Sequence, residues 1–307
     1  MGAIAAHEAI SHAGIDKNDI DIIICGTGSP EYTYPSTAAL IQNKLGITNN
    51  CMAYDIQAAC SSSVFALHQA SSFIKSGLCK YILVVSPEAP SRQLDWEDKS
   101  TCILFGDGAG AVVLSPVKEN LGILASFCHT NGKDWDLLKI PNSGSILKST
   151  NDIIDDPPII KMNGNQVFKF AAKIAFEIYE EVLMQGLINN ASTREILNLH
   201  PSVQKISDLY IDFVIMHQAN KRIIKNFREK LREQDISSPL VPCYIENMGN
   251  TGAASPLITL YKTYYEGIIS KENILVIEAF GAGLTWGANL IRWNLEKPKG
   301  SDLNENI

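Results

Sequence analysis

The sequence predicts an α/β fold built from two repeated halves. Segments typical of buried strands alternate with segments of helical periodicity along the 307-residue chain, which favours a layered arrangement of sheets and helices. The order of the segments in the first half returns in the second half. The spacings agree as well, because Asp21 precedes Cys60 and Ile211 precedes Asn250 by about 39 positions in each case. We therefore expect an internal duplication.

The first half, residues 1–116, has the predicted order helix, strand, helix, strand, helix, strand, strand. Apolar residues recur at helical spacing in its helices, and turn residues separate its strands. Its segments are, in that order, "MGAIAAHEAISHAGI", "DIDIIICGTG", "STAALIQNKLG", "CMAYDIQ", "SSSVFALHQASSFIKSG", "YILVVS" and "GDGAGAVVLS".

The second half, residues 117–295, repeats this order after one additional strand, "LGILASFCHTNG", and a long loop. Because that strand has no counterpart in the first half, the first half is expected to begin one strand late. Residues 296–307 are expected to form a polar tail, and "ASTREILNLHPSVQKISDL" a surface insertion. The remaining segments are, in order, "NQVFKFAAKIAFEIYEEVLMQGLI", "YIDFVIMHQ", "KRIIKNFREKLRE", "LVPCYI", "GAASPLITLYKTYYEG", "NILVIEAFGAG" and "LTWGANLIRW".

Composition and charge exclude several classes of protein. A net charge of −7 argues against a general nucleic-acid binder. Apolar runs such as "DIIIC" and "YILVVS" are too short to span a bilayer, so no membrane association is expected. The seven cysteines form no CxxC pair, which is typical of a reducing compartment and not of a disulfide framework or a zinc site. We expect a cytoplasmic protein without a metal site.

Cys60 lies in "AYDIQAACSSSVFAL", where a strand gives way to a helix. Ser61, Ser62 and Ser63 are candidates to satisfy the free N–H groups at the start of that helix. A helix N-terminus lowers the pKa of a cysteine thiol and so favours a nucleophilic thiolate. Composition alone favours the alternative of a small packing cysteine.

His217 and Asn250 are the other candidate site residues. His217 follows a buried strand in "FVIMHQAN", at the carboxyl end where α/β proteins bind ligands, although it is equally suited to capping the strand. Asn250 lies in "ENMGNTGAASP", where small residues indicate a tight turn into a helix, and a turn asparagine is the simpler interpretation. Together a cysteine, a histidine and an asparagine supply a nucleophile and two polar partners, and the repeat brings Cys60 opposite Asn250.

The sequence also contains two glycine-rich turns of the kind that can bind ligands. "FGDGAGAVV" is not a dinucleotide fingerprint, because a strand and not a helix follows it. "FGAGLTWGA" lies between two strands, and its backbone N–H groups are candidates to contact a ligand. No Walker loop and no GxSxG elbow is present in the sequence.

Seven segments carry a resemblance to a known family. They are "YPSTAALIQNKLG", "AYDIQAACSSSVFAL", "LFGDGAGAVVL", "MNGNQVFKFA", "MHQANKRII", "GNTGAAS" and "EAFGAGLTWGANLIRW". Through them the chain resembles, over almost its whole length, the β-ketoacyl-[acyl carrier protein] synthase III family of condensing enzymes. The resemblance implies a thiolase-like αβαβα layered fold built from two duplicated halves, in agreement with the repeat.

The resemblance also implies a mechanism. Cys60 would be the acyl-accepting nucleophile, and His217 and Asn250 would complete a Cys-His-Asn triad. The implied reaction is the decarboxylative condensation of an acyl-CoA primer with malonyl-acyl carrier protein, which initiates fatty acid synthesis. It needs no cofactor, and the enzyme would act as a homodimer. Backbone N–H groups of Cys60 and Ala282 would form the oxyanion hole.

Further positions match the family around this centre. Asn165 corresponds to a pantetheine contact, Arg222 to a position that binds CoA or carrier protein, and Lys99 takes the place of a family arginine. Tyr34 replaces an aromatic residue that reaches across the dimer to the acyl pocket, which Phe280 also lines by resemblance.

Besides Lys99, the chain departs from the family pattern at its beginning and in a glycine-rich turn. The family's first strand and loop have no match, and its glycine triplet contains an alanine, at Ala282. Two alternatives therefore stay open beside a primer-condensing enzyme. One is a relative from secondary metabolism that uses a different acceptor, and the other is an inactive homologue shortened at its N-terminus.

Overall fold

The computed structural model describes residues 1–118, 120–141, 143, 145, 158–236 and 238–298. The α-helices within these residues are α1 Gly2–Ala13, α2 Thr37–Leu45, α3 Ser62–Lys75, α4 Gly164–Leu183, α5 Ala191–Ile196, α6 Lys221–Glu233, α7 Ile245–Met248 and α8 Ser255–Tyr265. The strands are β1 Ile22–Gly26, β2 Met52–Ile56, β3 Ile82–Glu88, β4 Gly108–Leu114, β5 Gly122–Thr130, β6 Leu138–Lys139, β7 Lys161–Met162, β8 Phe213–Met216, β9 Ile274–Gly281 and β10 Thr285–Arg292.

The first sheet has the strand order β2-β1-β3-β4. β1 pairs in parallel with β2 and with β3, and β4 runs antiparallel to β3. Every residue of β1 is buried, as are all but one of β3. Continuous apolar strands such as these are typical of parallel sheets that are covered on both faces.

The second sheet has the order β5-β10-β9-β8. β8 and β9 are parallel, whereas β10 runs antiparallel to both β9 and β5. The predicted strand "LVPCYI" is wrong, because only a single bridge, from Leu240 to Phe213, joins it to β8. Pro242 has no N–H to donate to a sheet, and the Val241 carbonyl accepts a hydrogen bond from the Arg228 side chain instead.

Both sheets share one plan, with β1, β3 and β4 in the positions of β8, β9 and β10. In the second sheet β5 pairs along the outer edge of β10. No described strand lies in the corresponding place beside β4. Val112, Val113 and Leu114 of β4 are accordingly half-buried, while residues 287–291 of β10 are all buried.

The helices and sheets form five layers around three apolar cores, which confirms the predicted αβαβα fold. One core lies between the two sheets, where Val64 and Leu67 of α3 pack with Leu257 and Leu260 of α8. A second core joins α1 and α2 to the outer face of the first sheet. The third joins α4 and α6 to the outer face of the second sheet. The central helices α3 and α8 thus bring the two halves together.

Two predictions concern the surface of the second half. The predicted insertion is only partly superficial: it forms α5, its Thr193 is buried, and Leu197 and Leu199 pack against the core of the second half. Most of the predicted polar tail, from residue 299 onward, lies outside the described residues. Among the helices of the described part, none has the length and apolar character needed to cross a membrane.

Candidate active site

Cys60 lies in a 3₁₀ turn, Ala59–Ser61, that leads directly into α3. Ser62 secures this turn, because its Oγ accepts a hydrogen bond from Ala58 N at 2.8 Å and donates one to Ala59 O at 2.7 Å. The prediction that the three consecutive serines cap α3 is therefore wrong, since no side chain caps that helix. Short hydroxyls bond to nearby backbone groups, and here they fix the segment before the helix.

The turn between β9 and β10 packs tightly against Cys60. A β-carbon at Gly281 would lie 2.7 Å from the Cys60 nitrogen and 3.1 Å from its Cβ, so only glycine fits this approach. The Thr285 Oγ1 lies 2.9 Å from the Ala58 carbonyl oxygen and 3.0 Å from that of Ala282. These contacts bring Ala282 beside the Cys60 turn.

Burial raises the pKa of the Cys60 thiol to about 12, and the charge of Glu88 contributes in the same direction. The prediction of a lowered thiol pKa is therefore wrong. A thiolate loses hydration in this buried position, and a neighbouring carboxylate repels it. The 3₁₀ turn around Cys60 offers a backbone hydrogen bond that acts in the opposite direction but does not outweigh these effects. Cys60 therefore rests as a protonated thiol.

His217 lies at the carboxyl end of β8, as the sequence predicts, and is 2% exposed. Its backbone N–H donates to the Glu278 carbonyl on β9 at 2.9 Å, and its ring contacts the Phe280 ring at a centroid distance of 5.5 Å. Burial lowers the pKa of His217 to about 3. The imidazole is therefore neutral at physiological pH.

The hydrogen bonds around His217 indicate where its ring proton lies. Its Nδ1 is 2.6 Å from the Ser255 Oγ, which already accepts a hydrogen bond from Gln218 N at 3.0 Å. The hydroxyl proton of Ser255 is thus available to Nδ1. Donation from Ser255 to Nδ1 would place the imidazole proton on Nε2, where it can be donated to a ligand.

Asn250 is 8% exposed and is held by its backbone against the segment before β4. Its N–H donates to Leu104 O at 2.8 Å, and its carbonyl accepts from Gly106 N at 3.0 Å. Its side-chain Oδ1 accepts from Gly252 N at 2.9 Å. With the amide oxygen engaged, the amide NH₂ is the group that Asn250 can offer to a ligand.

The segments that carry the three predicted site residues meet where the central helices begin. The Cys60 turn contacts both the end of β9 and a second 3₁₀ turn, Gly252–Ala254, which leads into α8 and follows Asn250. Ser255, the first residue of α8, bonds to His217. The arrangement combines a half-buried thiol with a neutral imidazole and an amide that are both buried.

Two of the predicted binding residues lie near each other. Asn165 is exposed at the start of α4, one turn before Phe168. The Arg222 guanidinium lies 4.8 Å from the centre of the Phe168 ring, so α4 and α6 present both residues on one side. Lys99 lies elsewhere, in the exposed loop before β4, and no described contact joins it to Asn165 or Arg222.

The two residues predicted to line the acyl pocket are in contrasting settings. Phe280 is 5% exposed and packs between His217 and the core of the second half. Tyr34 is 85% exposed in the loop between β1 and α2, so within one chain it lines no pocket. The placement of Tyr34 leaves it free to contact a second molecule.

Sequence reasoning missed three residues that organise the site, namely Glu88, Ser255 and Thr285. Ser255 and Thr285 fall within the motifs "GNTGAAS" and "FGAGLTWGA" but carried no signal of their own. Glu88 is the last residue of the buried strand β3, and a carboxylate at the end of such a strand was the one available indication.

Comparisons with known proteins identify the family of the chain. Residues 54–132 match the family model for 3-oxoacyl-[acyl-carrier-protein (ACP)] synthase III, and residues 204–293 match its C-terminal model. The chain is 38% identical to a β-ketoacyl-[acyl-carrier-protein] synthase III from Neisseria meningitidis serogroup B over 293 residues, which cover 95% of this chain and 83% of that protein. It is 39% identical to the corresponding protein of Methylococcus capsulatus, with the same coverage.

Solved structures give the same result. The 3-oxoacyl-[acyl-carrier-protein] synthase III of Aquifex aeolicus is 37% identical and superimposes with a TM-score of 0.78, covering 95% of this chain and 83% of that one. The priming β-ketosynthase of the R1128 polyketide pathway is 28% identical and superimposes with a TM-score of 0.82, covering 97% of this chain and 82% of that one. The chain, with Cys60, His217 and Asn250 brought together at the meeting of its two halves, belongs to the β-ketoacyl-[acyl-carrier-protein] synthase III family.

Proposed function

We propose that this chain condenses an acyl-CoA primer with malonyl-acyl carrier protein and so supplies the first β-ketoacyl chain for fatty acid synthesis. The observation that carries the proposal is the meeting of the Cys60 turn with the end of β9 and with the turn that follows Asn250. A nucleophile and two hydrogen-bond donors at one buried point are suited to acyl transfer. Both substrates bring their own activating groups, so the proposed reaction uses no cofactor.

In the first step the sulfur of Cys60 attacks the thioester carbonyl of the acyl-CoA. The new S–C bond forms as the bond to the CoA sulfur breaks, and the proton of the Cys60 thiol leaves with CoA as its thiol. The negative oxygen of the tetrahedral intermediate would accept hydrogen bonds from the backbone N–H groups of Cys60 and Ala282. A donor in such a position typically contributes about 3 to 4 kcal/mol to the transition state.

In the second step malonyl-acyl carrier protein occupies the position that CoA has left. His217 Nε2 and the Asn250 NH₂ would donate hydrogen bonds to its thioester carbonyl. As the bond to the carboxylate breaks and CO₂ departs, the electrons move onto that carbonyl as an enolate. The enolate carbon then attacks the acyl-Cys60 thioester, and Cys60 leaves and takes up a proton. Two neutral donors suit this step, because they stabilise negative charge without protonating the carbanion.

Arg222 and Asn165 are the residues we propose for the entry of CoA and carrier protein. Several other basic residues of α6 are engaged: Lys221 pairs with Glu246, Lys225 lies 3.6 Å from Glu229, and the Arg228 side chain donates to a carbonyl. Arg222 is exposed and stacks on an aromatic ring, which leaves its charge accessible to phosphates or acidic side chains.

We also propose that the enzyme is a homodimer in which Tyr34 enters the partner's acyl pocket. Tyr34 and Tyr32 are 85% and 59% exposed on one loop, an unusual exposure for two aromatic side chains. Sedimentation equilibrium checks the assembly. A wild-type chain that sediments as a monomer throughout the accessible concentration range would contradict it.

The alternative is that a thioester other than malonyl-acyl carrier protein accepts the acyl group. One observation favours it, because the R1128 priming β-ketosynthase superimposes on this chain with a TM-score of 0.82. The first step would be the same, and only the thioester that discharges Cys60 would differ. The deciding experiment supplies a panel of acyl-CoAs and then malonyl-acyl carrier protein, and measures CO₂ release and the β-ketoacyl product on the carrier. Acylation without discharge by malonyl-acyl carrier protein would favour the alternative, and no acylation by any donor would contradict both.

A further inference from the structure

Glu88, at the end of β3, is a buried carboxylate that the proposed reaction does not use. It is 5% exposed, and four groups donate hydrogen bonds to it. Its Oε1 accepts from Gly28 N at 3.0 Å and from Ala253 N at 3.3 Å. Its Oε2 accepts from Ser29 Oγ at 2.5 Å and from Thr27 Oγ1 at 3.4 Å.

The hydrogen-bond pattern fits an ionised carboxylate. The Ser29 Oγ accepts from Ala89 N at 2.8 Å, and the Thr27 Oγ1 accepts from Ser29 N at 3.0 Å, so both hydroxyl protons are free to point at Glu88. The other two partners are backbone N–H groups, which can only donate. Burial raises the pKa of Glu88, and the four hydrogen bonds act in the opposite direction.

Glu88 binds the turn that follows Asn250 directly, through Ala253 N, and approaches the Cys60 turn through Gly28. A β-carbon at Gly28 would lie 3.7 Å from Glu88 Oε1 and 3.8 Å from the Cα of Ala59, the residue before Cys60. A β-carbon at Gly252 would lie 3.1 Å from the same Oε1. Gly252 in turn donates its N–H to the Asn250 side chain. The carboxylate thus lies between the Cys60 turn and the Asn250 turn.

We propose that Glu88 is a positioning residue, which holds the turn after Asn250 in register with the Cys60 turn by binding Ala253 N and Gly28 N through one oxygen. None of its four hydrogen bonds involves the Cys60 thiol. The part of Glu88 in decarboxylation rests on the proposed function of Asn250. The electrostatic effect of Glu88 on Cys60 is independent of that function, so the positioning role and the electrostatic effect can be tested separately.

The charge of Glu88 acts on two thiols in its surroundings. Burial and Glu88 together raise the pKa of Cys60, and burial, Asp55 and Glu88 raise that of Cys25. Removing the Glu88 charge should therefore lower the pKa of the Cys60 thiol. Because the thiolate is the reactive form, more thiolate at a fixed pH means faster alkylation.

Two variants separate the effect of the Glu88 charge from the effect of its side-chain length. Glu88→Gln retains the shape and removes the charge, and Glu88→Asp retains the charge but shortens the side chain by one methylene. Asp55→Asn is the matched control, because the Asp55 carboxylate also accepts two backbone N–H bonds, from Thr37 at 2.7 Å and Ala38 at 2.8 Å, but contacts neither turn.

The first measurement uses iodoacetamide with no substrate and locates the adduct by peptide mass. We expect Glu88→Gln to alkylate at Cys60 roughly threefold or more faster than wild type at one pH below the thiol pKa, and Glu88→Asp and Asp55→Asn to react at nearly the wild-type rate. An unchanged rate for Glu88→Gln would overturn the electrostatic part of the proposal. This result is independent of whether the chain condenses anything.

The second measurement compares self-acylation with malonyl decarboxylation in the same variants. We expect Glu88→Asp to reduce decarboxylation roughly tenfold or more relative to acylation, and Asp55→Asn to leave their ratio unchanged. Ser29→Ala, which retains the carboxylate but removes its shortest hydrogen bond, serves where a Glu88 variant does not fold, and we expect it to lower the ratio as well. Unchanged ratios in both Glu88→Asp and Ser29→Ala, in a wild type that decarboxylates, would overturn the positioning role.

Discussion

Gly281 lies so close to Cys60 that a β-carbon on it would be 2.7 Å from the Cys60 nitrogen. This contact joins the end of β9, in the second half of the chain, to the turn that begins the central helix of the first half. It also places the backbone around Ala282 next to the thiol. The two halves thus meet at Cys60, the proposed acyl acceptor, and the spacing between Gly281 and Cys60 has no room for a methyl group.

Gly281→Ala should abolish self-acylation while the chain still folds. The added methyl group would push the β9–β10 turn away from Cys60 and displace the proposed oxyanion-hole donors, which costs roughly a hundredfold or more in rate. Acylation is measured by intact mass after exposure to an acyl-CoA. Gly132→Ala is the control, because a β-carbon at Gly132 meets nothing within 4 Å. Equal acylation of both variants would contradict the proposed geometry.

Asn250→Ala should separate the two steps of the reaction. The Asn250 amide is proposed to bind the malonyl thioester only, so self-acylation should be retained and condensation should fall by about a hundredfold or more. Single-turnover acylation and CO₂ release are measured in parallel. Asn247→Ala, in the exposed segment just before, is the control. Parallel loss of both steps in Asn250→Ala would refute the assigned role.

Acid should destabilise the fold through His217. Burial lowers the pKa of His217 to about 3, from 6.5 in an unfolded chain, so the unfolded state binds the proton first. The contribution of His217 to the free energy of unfolding is therefore complete above about pH 6.5 and is lost progressively as the pH falls towards 3. At pH 5 the loss is about 2 kcal/mol.

The measurement is urea unfolding at pH 7 and pH 5 of wild type, His217→Asn and the control His7→Asn, whose side chain is exposed. Replacing His217 should remove about 2 kcal/mol of the loss in unfolding free energy between these pH values. A loss in His217→Asn as large as that in wild type would show that His217 is not buried as a neutral imidazole.

Glu278 should have the opposite pH dependence. It is fully buried on β9, neither carboxyl oxygen has a hydrogen-bond partner among the described residues, and burial raises its pKa well above 4.5. Stability from the protonated form is complete below pH 4.5 and declines as the pH rises towards the folded pKa.

Glu278→Gln imitates the protonated acid, so it should exceed wild type in unfolding free energy by a margin that grows by up to about 1.4 kcal/mol per pH unit above pH 4.5. Denaturant unfolding at several pH values measures this margin, with the exposed Glu97→Gln as control. A margin that stays constant with pH would contradict the raised pKa.

The repeat, and the positions of Cys60, His217 and Asn250 in the fold, were predictable because each has a local signature. Periodicity and turn residues indicated the helices and strands, and the helix α6 begins and ends where its segment "KRIIKNFREKLRE" does. Cys60, His217 and Asn250 each lie directly after a strand or before a helix, where α/β proteins place their sites.

The supporting contacts were not predictable, since they join residues far apart in the chain. Thr285 bonds to Ala58 and Glu88 bonds to Ala253, and nothing in the local sequence indicates either pair. The prediction of a lowered pKa for the Cys60 thiol was wrong for a similar reason. Proximity to a helix N-terminus is visible in the sequence, whereas burial and the distant Glu88 charge are not.

The most direct test of the account is the mass of the intact protein after incubation with a panel of acyl-CoAs. We expect one acyl group on wild type, located at Cys60 by peptide mass, none on Cys60→Ala, and wild-type labelling on Cys79→Ala. Addition of malonyl-acyl carrier protein should then return wild type to its original mass. A chain that gains no acyl group from any donor, or that gains it equally in Cys60→Ala, would contradict the central claim that Cys60 carries the acyl chain.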